Sequence, residues 1–195
     1  MVFEKSALFI DGSNFFAATR ALDIDVDYAK LKQFFCKESN LIRAYYYTAL
    51  PEEQEFSPLR PLTDWLDYNG FSVVSKVTRE FTDPDNGKKR IKGNMDMEIA
   101  LDMLKLAPFI NHAVLFSGDG DFCRLLEDVQ GMGVRVTVVS TNKTNPPMAA
   151  DTLRRMADVF IEIDDIRTKI ERCARQNEPT TVEVPGISED MSINK

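Results

Sequence analysis

Acidic residues follow two apolar segments of the sequence at the point where each segment ends. Residues 7–10 run directly into Asp11, and residues 113–116 run into the stretch SGDGD at 117–121. Both apolar segments have the length and composition of buried strands, and the carboxyl ends of parallel strands share one edge of a sheet. If the two strands are neighbours, that edge brings together the carboxylates of Asp11, Asp119 and Asp121.

A fourth acid, Asp96, begins an amphipathic segment. At about 100° per residue, four apolar residues lie within about 60° of Asp96 on a helical wheel: Ile99, Ala100, Met103 and Ala107. Asp96 is therefore expected at the centre of the face that packs on the sheet, pointing at the same edge. Asp102 falls on the opposite side, and we expect it to be solvated.

Carboxylates that converge on one edge need a compensating cation. Two unit charges about 4 Å apart repel by about 4 kcal/mol at an effective dielectric constant of ~20. Oxygen-only ligands select Mg²⁺ or Mn²⁺. The pattern predicts a divalent-metal site whose ligands and catalytic groups are Asp11, Asp96, Asp119 and Asp121.

Each of these acids also has a structural alternative. Asp121 could cap the helix that follows it, and Asp11 could form an Asx-turn. Asp119 could serve the turn between its two flanking glycines, and Asp96 could be a first-turn acid favoured by the helix dipole. These alternatives stay open at the level of the sequence.

The histidine and the phenylalanines near these acids in the sequence say less about function. His112, the single histidine, begins the strand at 113–116, and about 17 Å or more separates it from Asp119. We therefore expect His112 to be structural rather than an acid–base group of the acidic site. Phe15 and Phe16 are expected in the core rather than as platforms for base stacking.

The elements that must position these acids alternate along the chain. Apolar runs predict strands at 7–10, 42–47, 71–77, 113–116, 134–139 and 159–163. Amphipathic segments between them predict helices at about 27–36, 59–68, 95–107, 122–130 and 148–157. This alternation indicates an α/β fold, a three-layer α/β/α sandwich around a mainly parallel sheet.

One segment, at about 78–92, departs from the alternation. Its turn signal DPDNG at 83–87 predicts a β-hairpin or an extended loop that projects from the domain. From Lys76 to Lys92 the chain carries six basic residues against three acids, in a protein whose net charge is −7. This projection could contact phosphates, or it could be a solvated loop without a partner.

Bulk properties narrow the class of protein. The acidic balance, with a net charge of −7, argues against a protein that coats nucleic acid non-specifically. We expect a single domain at 1–175 followed by a flexible tail at 176–195. Three widely spaced cysteines, the lack of a signal-peptide pattern and the lack of a run of ~18 apolar residues predict a reducing, cytoplasmic location.

Three motifs in this order resemble the NYN domain of LabA-like proteins: DGSN at 11–14, KGNMD at 92–96 and SGDGDF at 117–122. The segment LRRMADVFIEI at 153–163 is similar as well, and the resemblance spans about residues 5–165. It implies membership of the PIN-like nuclease superfamily, with Rossmann-like topology and an acidic Mg²⁺ or Mn²⁺ site. It also implies that Asp11, Asp96, Asp119 and Asp121 bind metal and that Asn14, Ser117 and Lys92 support the site or contact substrate.

The leading hypothesis is a divalent-metal-dependent ribonuclease, with in-line attack of water that leaves a 5′-phosphate, as the resemblance implies. Lys88, Lys89 and Arg90 would guide the RNA backbone. Two alternatives stay open: a non-catalytic RNA-binding or regulatory module with the same fold, and a metal-dependent phosphohydrolase acting on small molecules. A homodimer is compatible with the sequence.

Overall fold

The fold is built on one central sheet, seen in a computed structural model that describes residues 4–37, 39–51, 59–82, 89–92 and 94–172. The strands are β1 (Glu4–Asp11), β2 (Ser39–Pro51), β3 (Ser72–Thr82), β4 (Lys89–Lys92), β5 (His112–Phe116), β6 (Arg135–Ser140) and β7 (Val159–Glu162). The helices are α1 (Gly12–Ala21), α2 (Tyr28–Cys36), α3 (Arg60–Tyr68), α4 (Asp96–Leu106), α5 (Cys123–Gly131), α6 (Asp151–Met156) and α7 (Arg167–Ile170). The tail predicted at 176–195 lies outside the described residues.

Sheet order places the first strand at the centre. The order is β4-β3-β2-β1-β5-β6-β7, in which six strands are parallel and β4 alone is antiparallel. The chain proceeds from β1 outward to β4 and then returns to the other side of β1 with β5. The switch point therefore lies between β1 and β5, which confirms that the two strands followed by acids are neighbours.

Two hydrophobic layers cover the sheet. Along β1, Ala7 and Phe9 face the layer that contains α4, α5 and α6, whereas Leu8 and Ile10 face the layer of α1, α2, α3 and α7. All four β1 side chains are fully buried, and burial of a large apolar side chain stabilises the fold by about 1.5–3 kcal/mol. This rigid strand carries Asp11 at its end, and the predicted three-layer α/β/α architecture is confirmed.

The described part of the projection predicted at 78–92 is an antiparallel pair of strands, as in a β-hairpin, and the predicted turn DPDNG at 83–87 lies outside the described residues. Asp11 is in register with Tyr47 of β2, and Tyr47 is in register with Val74 of β3. From Val74, β3 continues eight residues further to Thr82, about 26 Å past the level of Asp11. The hairpin therefore projects from the edge where the acids lie.

Pairing within the hairpin is antiparallel and joins Arg79 to Lys92 and Phe81 to Arg90. Of the basic residues proposed to contact phosphate, Lys88 lies outside the described residues. Lys89, Arg90 and Lys92 lie in β4.

Helix α1 is the main element that the sequence pattern did not predict. Its first turn contains Gly12, Ser13 and Asn14, which are poor helix formers, and the pattern was interpreted as a break. Asp11 overrides these propensities, because its carboxylate accepts a hydrogen bond from the backbone N–H of Asn14 and caps the helix. Burial of Phe15 then anchors α1 on the sheet.

Candidate acidic site at the carboxyl edge of the sheet

The carboxylate of Asp11 is buried and fully hydrogen-bonded. Oδ1 accepts hydrogen bonds from the Ser13 hydroxyl at 2.8 Å and from the Asn14 backbone N–H at 3.2 Å. Oδ2 accepts from Asn14 Nδ2 at 3.0 Å and from the Ser117 hydroxyl at 3.3 Å. With 4% exposure and four donors, Asp11 is held in one orientation as the cap of α1. Asp11 therefore caps a helix rather than forming the Asx-turn considered from the sequence, which leaves a further role open.

Asn14 and Ser117 join the ends of β1 and β5. Asn14 donates to Asp11, while its Oδ1 accepts from the backbone N–H of Gly118 at 3.5 Å. The buried Ser117 hydroxyl donates to Asp11 and accepts from the backbone N–H of Asp119 at 3.2 Å. Both predicted supporting residues therefore lie in the site and couple the two acid-bearing loops.

The loop after β5 presents Asp119 and Asp121. Asp119 Oδ1 accepts from the backbone N–H of Asp121 at 2.9 Å and caps a 3-10 turn, Gly120–Phe122, that leads into α5. Asp119, and not Asp121, is therefore the capping acid, which corrects the alternative considered for Asp121. The second oxygen of Asp119 and the exposed carboxylate of Asp121 accept no hydrogen bond from the described residues.

Gly118 permits this loop to approach its neighbour. A Cβ atom at this position would lie 2.1 Å from the carbonyl oxygen of Met148 and 2.8 Å from the Ser140 hydroxyl. The carbonyl of Gly118 accepts from the backbone N–H of Ala150 at 2.9 Å. Only glycine fits, so the position of Asp119 depends on contact with the loop that follows β6.

Asp96 lies at the N-terminus of α4 and is half-buried. Burial raises the pKa of Asp96, and the negative charges of Asp119, Asp11, Asp121 and Glu98 raise it further, in that order of size. The structure therefore brings Asp96 into the electrostatic field of the other three predicted acids. The Asn94 amide donates to Asp96 Oδ2 at 2.6 Å and orients it.

Asn94 was not assigned a role from the sequence, although it lies inside the motif KGNMD. In the sequence, this role is indicated only by the position of Asn94 two residues before Asp96, because a short amide side chain there can reach the carboxylate that follows it.

The prediction for Asp102 is wrong. Its side chain is only 24% exposed and accepts a hydrogen bond from the Tyr47 hydroxyl at 3.2 Å. The helical wheel treated α4 alone, whereas the Tyr47 ring reaches from β2 to the flank of the helix. The pKa of Tyr47 is raised far above its ordinary value, because its ring is buried and Asp102 is negatively charged.

Basic residues near the acids are few in the described ranges. Lys76 of β3 pairs with Glu98 at 2.9 Å and lowers the pKa of that carboxyl. None of the ion pairs formed by the described residues involves Asp11, Asp96, Asp119 or Asp121. The four carboxylates therefore repel one another without a neutralising side chain within the structure described.

The donor set fits a hard divalent cation, because every polar group that the four acids offer is a carboxylate oxygen. As they stand, however, no three Asp, Glu, His or Cys side chains among the described residues are placed to hold a metal ion together.

His112 lies at the opposite edge of the sheet, as predicted. Its Nε2 is 2.7 Å from the Thr137 hydroxyl and its Nδ1 is 3.3 Å from Arg135. Burial and the positive charge of Arg135 lower the pKa of His112. Both contacts are structural and far from the acids.

Of the two phenylalanines expected in the core, Phe15 is buried but Phe16 is 56% exposed. The expectation for Phe16 is therefore wrong. The two are consecutive on α1, so about 100° separates them around the helix and only Phe15 faces the sheet.

Known proteins resemble this chain over nearly its whole length. The sequence profile of the NYN domain matches residues 5–164. The "Low amplitude and bright protein LabA" of Synechococcus elongatus is 37% identical over 180 residues, which are 90% of this chain and 93% of that protein. A protein of unknown function from Vibrio parahaemolyticus, solved by crystallography, is 28% identical with a TM-score of 0.68, covering 84% of this chain and 94% of its own. The matched region contains all seven strands and the four acids.

Proposed function

The chain belongs to the NYN domain family, with a LabA relative, and from this premise we propose that it is a divalent-metal-dependent ribonuclease that hydrolyses RNA phosphodiester bonds. The PIN-like, nuclease-type fold is consistent with a function related to RNA. The observation that carries the proposal is that the acid-bearing ends of β1 and β5 are neighbours, joined by the Ser117–Asp11 hydrogen bond, and that the charges of Asp119, Asp11 and Asp121 raise the pKa of Asp96 beyond the effect of burial.

Asp11, Asp96, Asp119 and Asp121 would hold Mg²⁺ or Mn²⁺ through their carboxylate oxygens. A metal held there would activate a water molecule and neutralise charge on the scissile phosphate and the leaving oxygen. Asp119 and Asp121 have carboxylate oxygens that accept no hydrogen bond from the described residues. Asp11 would instead lose one of its four hydrogen bonds on binding a metal. The longest of these bonds, from the Ser117 hydroxyl at 3.3 Å, is the one that exchanges at the lowest cost.

The remaining residues of the site orient these acids. Asn14 and Ser117 fix the Asp11 carboxylate and tie it to the β5 loop, and Asn94 orients Asp96. The second N–H of the Asn14 and Asn94 amides would serve as a donor to phosphate oxygens.

The hairpin supplies the positive charge that the acidic site lacks. It rises from the same edge, and its basic residues Lys88, Lys89, Arg90 and Lys92 would contact the RNA backbone. Such contacts offset the repulsion between an acidic protein and a polyanion.

A non-catalytic RNA-binding or regulatory module is the second candidate, favoured by the net charge of −7 and by the lack of a preformed chelating group among the described residues. A small-molecule phosphohydrolase is the third. The ribonuclease hypothesis is preferred because a module that only binds RNA gains nothing from facing phosphates with four acids.

The experiment is cleavage of a short end-labelled single-stranded RNA by the purified protein with Mg²⁺, Mn²⁺ or EDTA. We expect metal-dependent cleavage that Asp119→Asn reduces by more than the roughly 10- to 100-fold expected for loss of an outer-shell partner. Asp128→Asn is the control, because Asp128 lies in α5 and pairs with Arg124 at 2.9 Å. Cleavage that persists in EDTA or in Asp119→Asn would contradict the proposal.

The three candidate functions give different results in this assay. RNA binding without cleavage under any metal condition would favour the regulatory module. Hydrolysis of small phosphate esters in preference to RNA would favour the phosphohydrolase. A cytoplasmic location and a homodimer stay predictions; the structure adds only that no described helix is long and apolar enough to span a membrane.

A further inference from the structure

Helix α1 presents an exposed stripe that starts at the acidic site. Ser13, Phe16, Ala17 and Arg20 are all exposed and follow the spacing i, i+3, i+4, i+7, so they share one face of the helix. Ser13 begins the stripe, and its hydroxyl donates to Asp11 at 2.8 Å. Phe16 lies one helical turn further along, with about 5–6 Å between Cβ atoms.

The stripe borders a cleft of about 590 Å³. Its apolar lining includes Phe16, Ile24 and Leu62, and its charged lining comprises Arg20, Asp23, Asp25 and Arg172. A volume of this size accommodates a drug-sized ligand such as a nucleoside. The cleft begins at Phe16 and extends along the second half of α1 to the segment that follows the helix. At 1.5 Å per residue, Phe16 lies about 8 Å along the helix axis from Asp11.

The charges in the cleft suit a nucleotide. Arg20 forms no salt bridge within the described ranges, so its guanidinium is available to a phosphate. Asp25 pairs with Arg172 at 3.9 Å, whereas Asp23 is an exposed acceptor that can bind the exocyclic amino group of a base and repels a phosphate. A base in the cleft and a phosphate on Arg20 satisfy both sets of groups.

We propose that Phe16 is a stacking platform for a base next to the scissile phosphate of single-stranded RNA, with Arg20 binding the neighbouring phosphate. This inference rests on the proposed function, because it takes RNA as the substrate of the acidic site. An exposed aromatic ring one turn from Ser13, whose hydroxyl donates to Asp11, would fix the register of the RNA strand over the acidic site. Stacking is tolerant of sequence, since every base has a π-face.

The test measures binding of a fluorescent single-stranded RNA to the full chain in the Asp119→Asn background, so that no RNA is cleaved. Phe16→Ala is expected to weaken binding about 5- to 100-fold, the range for loss of one stacked base. Phe16→Tyr is expected to retain binding. Phe109→Ala is the matched control, because Phe109 is 66% exposed and lies just before β5 at the opposite edge of the sheet.

Two further readouts separate stacking from a structural effect. With 2-aminopurine at the nucleotide proposed to stack, fluorescence quenching is expected for the parent protein and not for Phe16→Ala. An oligonucleotide with an abasic site at that nucleotide is expected to bind the parent protein and Phe16→Ala with equal affinity. Arg20→Ala is expected to lower the salt slope of log K by about 0.7, while Phe16→Ala leaves it unchanged.

Equal RNA affinity of Phe16→Ala and its parent would overturn the inference and leave a protein partner as the occupant of the cleft. Equal loss of affinity with the abasic oligonucleotide would also overturn it. If neither the parent nor any variant binds RNA, the RNA function itself fails. If RNA binds through Phe16 and the wild type does not cleave it, only the ribonuclease proposal fails.

Discussion

Asp11 has two structural roles at the end of the buried strand β1. Its carboxylate caps α1, and it also gathers the donors of Ser13, Asn14 and Ser117 into one network. A buried carboxylate is stable only when its oxygens are paired, so the network is necessary for folding as well as for the site. Substitutions of these donors are therefore expected to lower both stability and function.

Asn14→Ala tests this coupling. Removal of the amide takes one donor from Asp11 and the acceptor from the Gly118 N–H, so the free energy of unfolding should fall by about 1–2 kcal/mol. Urea denaturation measures the change. Asn40→Ala, at an exposed position of β2, should leave the midpoint nearly unchanged. Equal stability of both variants would mean that the Asp11 network contributes nothing to folding.

Asp96 makes stability depend on pH in a defined direction. Its pKa in the folded state is raised above the ordinary value of 3.8, so the native state binds its proton more readily than the unfolded chain does. The contribution of Asp96 to the free energy of unfolding therefore falls as pH rises from about 4 through the folded-state pKa, and this contribution is lowest at neutral pH.

Asp96→Asn removes this unfavourable charge. At pH 7 the variant should be more stable, by at most about 1 kcal/mol because much of the side chain is solvated, and the gain should vanish near pH 4. Urea titrations at several pH values measure this. Asp128→Asn, which breaks an ion pair with Arg124, should instead be neutral or slightly destabilising at pH 7. A loss of stability in Asp96→Asn at pH 7 would contradict the assigned repulsion.

At the scale of the elements, contacts between loops position the part of the acidic site that follows β5. The loop after β5 is held against the loop after β6 by the close approach of Gly118 to Met148, and this approach fixes Asp119 relative to β1. The hairpin depends on the length of β3 beyond the end of β2. Each contact can be tested by a substitution that leaves the acids untouched.

Gly118→Ala should destabilise the protein by about 1–3 kcal/mol or more, because the added Cβ would lie 2.1 Å from a backbone oxygen. Gly131→Ala provides the control, since nothing lies within 4 Å of a Cβ at that position of α5. That change should be neutral or stabilising by up to about 1 kcal/mol. Denaturation midpoints that do not separate the two variants would exclude a tight approach at Gly118.

Replacing Lys88, Lys89 and Arg90 by alanine tests the hairpin. The salt slope of RNA binding should fall by about 0.7 for each phosphate contact that is lost, so by up to about 2 in total. The charge-matched control replaces Lys5, Lys37 and Lys105, which lie toward the opposite edge of the sheet. An unchanged slope in the hairpin variant would remove its role in guiding RNA.

At the scale of the whole molecule, the sequence predicted the features that follow from general rules of parallel sheets. Continuous apolar runs predicted the strands, and the rule for carboxyl ends predicted that Asp11 and Asp119 would share an edge. Helix α1 was missed because its first turn is unfavourable by propensity and is formed by the Asp11 cap together with the burial of Phe15. Such tertiary effects are not visible in a window of sequence.

Side-chain environments were harder to predict than strand positions. The wheel placed Asp96 on the sheet side of α4 but could not show that Tyr47 reaches Asp102 from β2. The turn SGDGD indicated a capping acid, but the choice of Asp119 over Asp121 depends on the backbone path set by Gly118 and Gly120.

The central claim is that these four carboxylates share a divalent cation, and calorimetric titration of the purified protein with Mn²⁺ tests it most directly. The account predicts that Mn²⁺ binds the wild type, that Asp96→Asn and Asp119→Asn abolish or strongly weaken binding, and that Asp128→Asn leaves it intact. Absence of Mn²⁺ binding by a folded wild type, or equal binding by wild type and Asp119→Asn, would contradict it.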